Sequence, residues 1–119
     1  DVSWSRGLGD VYKRQLVMGI RTLALSAGIT ESHSLERIRE LEKRGELSAN
    51  LSQALQSAYD FIMLLKIRRN FITHENENLS GNEVSLKQLN PLEQRFLEES
   101  LKVILRLQDE VYARFGGIP

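Results

Sequence analysis

Between Ser48 and His74, the apolar residues Leu51, Leu55, Ala58, Ile62 and Leu65 are spaced 4, 3, 4 and 3 apart, and Ile72 falls one further period on. That spacing keeps side chains on one face of a helix and is incompatible with a strand, whose faces alternate every second residue. Ser48 stands where an N-cap belongs. The stretch from Phe61 to Ile67 is apolar around most of the helix, so this segment is expected to be the central helix of a core.

Three more helices can be read around it. LVMGIRTLALSA (Leu16 to Ala27) is followed by Gly28, in the place of a C-terminal cap. SLERIRELEKR (Ser34 to Arg44) carries the stripe Leu35, Ile38, Leu41, ends at Gly45, and has Ser32 or Ser34 as its expected cap. Glu40 can pair with Lys43 or Arg44. The last helix opens at Asn90-Pro91-Leu92-Glu93, with Asn at N-cap, Pro at N1 and Glu at N3, which is a capping box. Its stripe is Leu97, Leu101, Ile104, Val111 and Phe115, and Gly116-Gly117 stop it. His74 to Glu83 is polar and reads as a loop. No segment alternates with period 2. The expected fold class is therefore all-α, an antiparallel helical bundle of about four helices.

Composition closes off several functions. The 119 residues carry 16 basic and 16 acidic side chains, and zero net charge argues against a dedicated nucleic-acid or membrane-surface protein. There is no cysteine, which removes disulfides and thiolate chemistry and suits a cytoplasmic location. Two histidines far apart, His33 and His74, make no zinc motif. No apolar run reaches the roughly 18 residues of a membrane span. Asp-x-Asp, a spacing by which two carboxylates can share a divalent cation, occurs nowhere. The chain alone is not expected to be an enzyme, and no metal or cofactor site is expected on it.

Residues Asp1 to Gln15 do not join this pattern. Gly7-Leu8-Gly9 with Lys13 and Arg14 suggests a phosphate loop, but a lone Gly-x-Gly without strand and helix context is weak. The stretch from Ser5 to Gln15 resembles the translation of a transposon-end sequencing adapter over eleven consecutive residues. Residues 1–15 are accordingly expected to be a non-native, disordered segment. Residues 16–119 would be an N-terminally truncated domain, a metagenomic fragment.

From Leu16 onward the chain resembles the nucleotidyltransferase substrate-binding domain family, the helical C-terminal domain of bacterial proteins that carry CBS domains and a nucleotidyltransferase domain like that of the PII-protein uridylyltransferase. The resemblance is carried by RTLALSAGI (Arg21 to Ile29), LERIRELEKRGELS (Leu35 to Ser48), YDFIMLLKIRRN (Tyr59 to Asn70), Asn82 in the polar loop, and LNPLEQRFLEESLKVILRLQ (Leu89 to Gln108). It implies a bundle like the C-terminal domain of kanamycin-type nucleotidyltransferases. It also implies a non-catalytic, signal-linked role in completing the substrate site of a nucleotidyltransferase domain. Mg²⁺ and a nucleoside triphosphate would belong to that absent domain, and the partners would be the nucleotidyltransferase and CBS domains of the same parent chain. Where the family often has Arg-His-Gln, this chain has Arg68-Arg69-Asn70, so a His-dependent contact is not carried over.

The candidate ligand-binding residues are Arg68, Arg69, Arg21 and Lys66. Arg68 and Arg69 flank the apolar face of the long helix, where an unpaired charge is costly. They need either a carboxylate or an anionic ligand. If His74 and Pro91 lie level, Arg68 stands opposite Leu97, beside Glu98 and Glu99, and Glu98, Glu99 or Glu93 is the carboxylate partner expected for the two arginines if they are paired rather than ligand-binding. Arg21 can contact an anion or pair with Glu36 or Glu40. Lys66 lies on another face and is expected to be solvated. Gln108 would face Ser57 as a hydrogen-bonded core residue, and Met18 and Met63 would fill core space. The rival to ligand binding is a pure interaction module that holds neighbouring domains or forms a homodimer.

Overall fold

A computed structural model of the chain describes the backbone of residues 3–75, 83–85 and 89–115, and the side chains of residues 10–68 and 89–115. Four helices carry the fold: α1 (Arg6–Ser26), α2 (Ser34–Lys43), α3 (Ala49–Glu75) and α4 (Pro91–Arg114). The fold class is all-α. Two three-residue strands, β1 (Ser3–Ser5) and β2 (Glu83–Ser85), add a small antiparallel ribbon with Trp4 opposite Val84, which the lack of alternation gave no reason to expect.

Local chemistry sets the helix ends. α1 closes in a Schellman motif: Ile29 N–H donates to Ala24 C=O and Gly28 N–H to Leu25 C=O. Gly28 takes φ +74°, which only glycine adopts without strain, and Ile29 then folds into the core. α2 ends the same way at Gly45, φ +76°, with Glu46 N–H donating to Leu41 C=O. The α2 cap is neither Ser32 nor Ser34. His33 is the N-cap, its Nδ1 accepting from Leu35 N–H at 3.3 Å, while Ser34 is buried in the first turn. His33 is exposed, and its ring stands edge-on to Tyr59 at 6.3 Å. Ser48 caps α3 through Leu51 N–H. At α4 the capping box is complete, with Asn90 Oδ1 accepting from Glu93 N–H at 2.8 Å and Glu93 Oε1 from Asn90 N–H at 3.0 Å.

α1 begins at Arg6, ten residues ahead of the expected start at Leu16. Gly7 and Gly9 therefore lie inside a helix, and no phosphate loop exists there. Each helical glycine costs about 1 kcal/mol relative to alanine, so cohesion here comes from tertiary contacts: Tyr12 packs on the core, and Gln108 Nε2 donates to Gln15 C=O at 3.2 Å. Helix can propagate through any run free of proline, so this geometry is compatible with an adapter-like origin of the sequence.

The core lies where α1, α3 and α4 meet. Leu16, Ile20 and Leu23 come from α1, Ile38 and Leu41 from α2, Leu55, Ile62 and Leu65 from α3, and Leu97, Ile104 and Leu107 from α4, all nearly inaccessible. Leu107 replaces Phe115 in the expected stripe. Phe115 is the C-cap of α4 and is exposed, whereas Leu107 fits against Gly19, close enough that a Cβ there would lie 2.8 Å from Leu107 Cδ2. Met18 also departs from expectation, being on the outer face of α1 and 46% exposed.

Contacts fix the helix directions. Arg68 meets Glu93, Phe61 meets Phe96, and Leu51 lies beside Arg106 and Glu110, so α3 and α4 are antiparallel. The first half of α1 meets the second half of α3, with Asp10 near Lys66. At the far end Arg114 pairs with Glu46 at 2.8 Å and also donates to the Glu46 carbonyl, tying α4 to the α2–α3 turn. No helix among the described residues is long and apolar enough to cross a membrane.

Candidate functional site

The structure separates the candidate cations. Arg68 Nη1 donates to Glu93 Oε2 at 2.7 Å, with both side chains about one-third to one-quarter exposed. Of the three carboxylates expected, the partner is Glu93 rather than Glu98 or Glu99. α4 is displaced by one turn, four residues, from the register that puts Pro91 level with His74. The reason is the capping box: Glu93 must fold back onto Asn90, which points its carboxylate across the α3 seam. The Asn90 N–H, ahead of the Arg68 charge, holds the Glu93 carboxyl below its ordinary range. Arg68 is thus committed to structure.

Lys66 lies 200° around α3 from Arg68 and faces α1. It is half-buried rather than freely solvated, and its Nζ lies 3.4 Å from Asp10 Oδ1. Asp10, Lys13, Arg14, Val17, Met18 and Lys66 line an open cavity of about 260 Å³. Three cations there face one carboxylate. The Lys66 amine, and then burial, push the Lys13 amine below its ordinary range, and Asp10 works against them. Sequence reasoning set Lys13 and Arg14 aside because both fall in the adapter-like stretch. The Lys66 environment depends on that stretch as well.

Arg21 lies two turns beyond Arg14 on the outer face of α1, flanked by Met18 and Leu25. The alternative of an ion pair with α2 is overturned: Glu36 pairs with Arg39 and Glu40 with Arg44, both at 3.1 Å. Arg21 is exposed and has no ion pair among the described residues. The Arg69 side chain, His74, Asn82 and Gly116-Gly117 lie outside the residues whose side chains are described. Gln108, expected to face Ser57, bonds instead to the α1 backbone, because α1 and not α3 lies against that face of α4. No group of three or more His, Cys, Asp or Glu able to hold a metal occurs among the described residues.

In class the chain is an all-α helical domain with cations on its outer faces. Residues 13–115 match the family described as "Putative nucleotidyltransferase substrate binding domain", and the chain belongs to that family. Comparison with curated proteins and with solved structures gives no match.

Proposed function

We propose that the chain is a non-catalytic helical domain that packs beside a nucleotidyltransferase domain and helps hold its nucleotide. The family match over residues 13–115 carries this reading. The absence of Asp-x-Asp from the sequence supports placing Mg²⁺ and the triphosphate chemistry on another domain, one that supplies the carboxylates. CBS domains of the same parent chain would deliver a regulatory signal in a bacterial cytoplasm. Of the candidate cations with described side chains, Arg21 is the most available for a phosphate, being exposed and without an ion pair among the described residues, with Lys66 second because Asp10 already partners it. Arg68 is withdrawn from that role by Glu93. Arg69, next to it in α3, stays in it on sequence grounds.

The test is calorimetric titration of nucleoside triphosphates into the chain combined with a nucleotidyltransferase domain. Arg21→Ala should weaken binding about tenfold, the worth of one charge-assisted phosphate contact near 1.4 kcal/mol. Equal affinities for the wild type and the variant would count against the reading.

One observation favours a second reading. The Arg68–Glu93 pair satisfies internally a cation that a ligand would otherwise claim, as expected of a pure packing module. Loss of the nucleotide effect together with retained association between the two domains would select that alternative.

A further inference from the structure

The α3–α4 seam has two sides. One is covered by α1, through Gly19 against Leu107 and Gln15 against Gln108. On the other side Phe61 and Phe96 touch at 5.7 Å between ring centroids, and Leu64 and Leu92 stand beside them at 55% and 64% exposure. With Ser57, Asp60, Asn90 and Glu93 they line an open groove of about 440 Å³. Ile67, also exposed, continues the apolar line by one turn. Apolar residues at Leu64 and Ile67, on the helix that forms the middle of the core, are what made α3 read as buried all round.

We propose that this outer seam is the docking groove for an amphipathic helix with basic flanking side chains, contributed by a neighbouring domain. The inference rests on the packing role proposed above. A shallow, straight channel between two antiparallel helices matches the ridge of a third helix, whose apolar residues at i, i+3, i+4 and i+7 drop between the flanking side chains. Charge selects the sign. Asp60 has no ion pair among the described residues and no cation among them lines the groove, while Glu93 is already held by Arg68, so the open charge of the groove is that of Asp60. A phosphate is therefore disfavoured here. A second copy of the chain is disfavoured too, because a two-fold interface lays the same acidic rim against itself. The groove also lies away from the Lys66 cavity, since Leu64 and Lys66 are separated by 200° around α3.

The experiment uses the full chain, labelled with ¹⁵N, and two synthetic helical peptides of about four turns. Both carry the same leucine stripe, one with Lys and one with Glu at the flanking positions. The Lys peptide should shift amide signals around Asp60, Leu64 and Phe96, and bind at least about tenfold tighter than the Glu peptide. Asp60→Lys, on an exposed helix position, should reverse that preference. Phe96→Ser should abolish binding of both while leaving the circular dichroism unchanged, and if Phe96→Ser is unfolded, Asp60→Lys decides alone. Equal affinity for the two peptides, shifts mapping elsewhere, or a dimer of the unliganded chain that Asp60→Lys strengthens would overturn the proposal. None of these results alters the nucleotide titration with Arg21→Ala, so failure of the groove and failure of the nucleotide reading are distinguishable.

Discussion

Arg68 on α3 and Glu93 on α4 form a 2.7 Å ion pair whose carboxylate also accepts from the Asn90 N–H, so one side chain closes both a helix cap and a helix–helix contact. This places the start of α4 along α3 and commits the cation that looked most available for a ligand. The two tasks are coupled, because moving Glu93 to serve a substrate would open the α4 cap.

The first prediction concerns pH. Glu93 has a lowered pKa in the fold, so its contribution is present above the ordinary glutamate value of about 4.3 and is lost as pH falls through the lowered folded value. Glu93→Gln should lower the urea midpoint at pH 7, and the gap from wild type should shrink in acid. Asn90→Ala, which removes the other half of the box, should cost about 1 kcal/mol. Urea titrations at pH 7 and pH 3 check both, and a gap that persists unchanged at pH 3 would refute the assignment.

Gly19→Ala should destabilise although alanine is the better helix former. The new methyl falls 2.8 Å from Leu107 Cδ2 and 3.0 Å from Cγ, in a fully buried place where the leucine has little room to turn. Overpacking of this kind costs about 1–3 kcal/mol against a helix gain of about 1. The expected net loss is about 1 kcal/mol by thermal or urea unfolding. The same change in Leu107→Ala should instead be neutral or stabilising, and a loss of equal size in both backgrounds would show that the contact is not the cause.

Gly28→Ala and Gly45→Ala should each cost about 1 kcal/mol for a different reason. A methyl at either position would meet nothing within 4 Å, so no clash arises, but φ near +75° strains any side chain with a Cβ. Substitution by Asn should recover part of the loss, since Asn tolerates this region. Differential scanning calorimetry of the Ala and Asn pairs separates backbone strain from packing.

These sites also show what the sequence could and could not disclose. Asn90-Pro91-Leu92-Glu93 was legible because a cap is a local event, needing only residues within one turn. The stripe from Leu51 to Leu65 was legible because burial on one face repeats with the helix period. The Arg68 partner was not, because the register between α3 and α4 depends on where Glu93 is drawn by its own cap. Leu107 was not in the expected stripe, because its place in the core depends on Gly19, and a close approach of two helices leaves no trace in periodicity. The exposure of Leu64, Ile67 and Phe96 was likewise hidden, since an apolar residue on a core helix carries no mark of whether anything covers it. At the candidate site, Arg21 was legible as a cation, but its lack of an α2 partner was not. That required seeing Glu36 taken by Arg39 and Glu40 by Arg44.

The final prediction tests the adapter-like segment. A chain that starts at Leu16 loses the Asp10–Lys66 pair, in which both side chains are about one-third exposed and which is worth about 0–1 kcal/mol. It also loses the packing of Tyr12, a partly buried ring worth less than the roughly 1.5–3 kcal/mol of a fully buried apolar side chain. Every side chain named above as fully buried lies at Leu16 or beyond. The shortened chain should therefore unfold cooperatively, about 1–2 kcal/mol less stable, with the near-ultraviolet signal of Tyr59 retained. Lys66, freed of Asp10 and Lys13, should become more reactive toward acylating reagents. Loss of cooperative unfolding in the shortened chain would instead make residues 6–15 an integral part of α1.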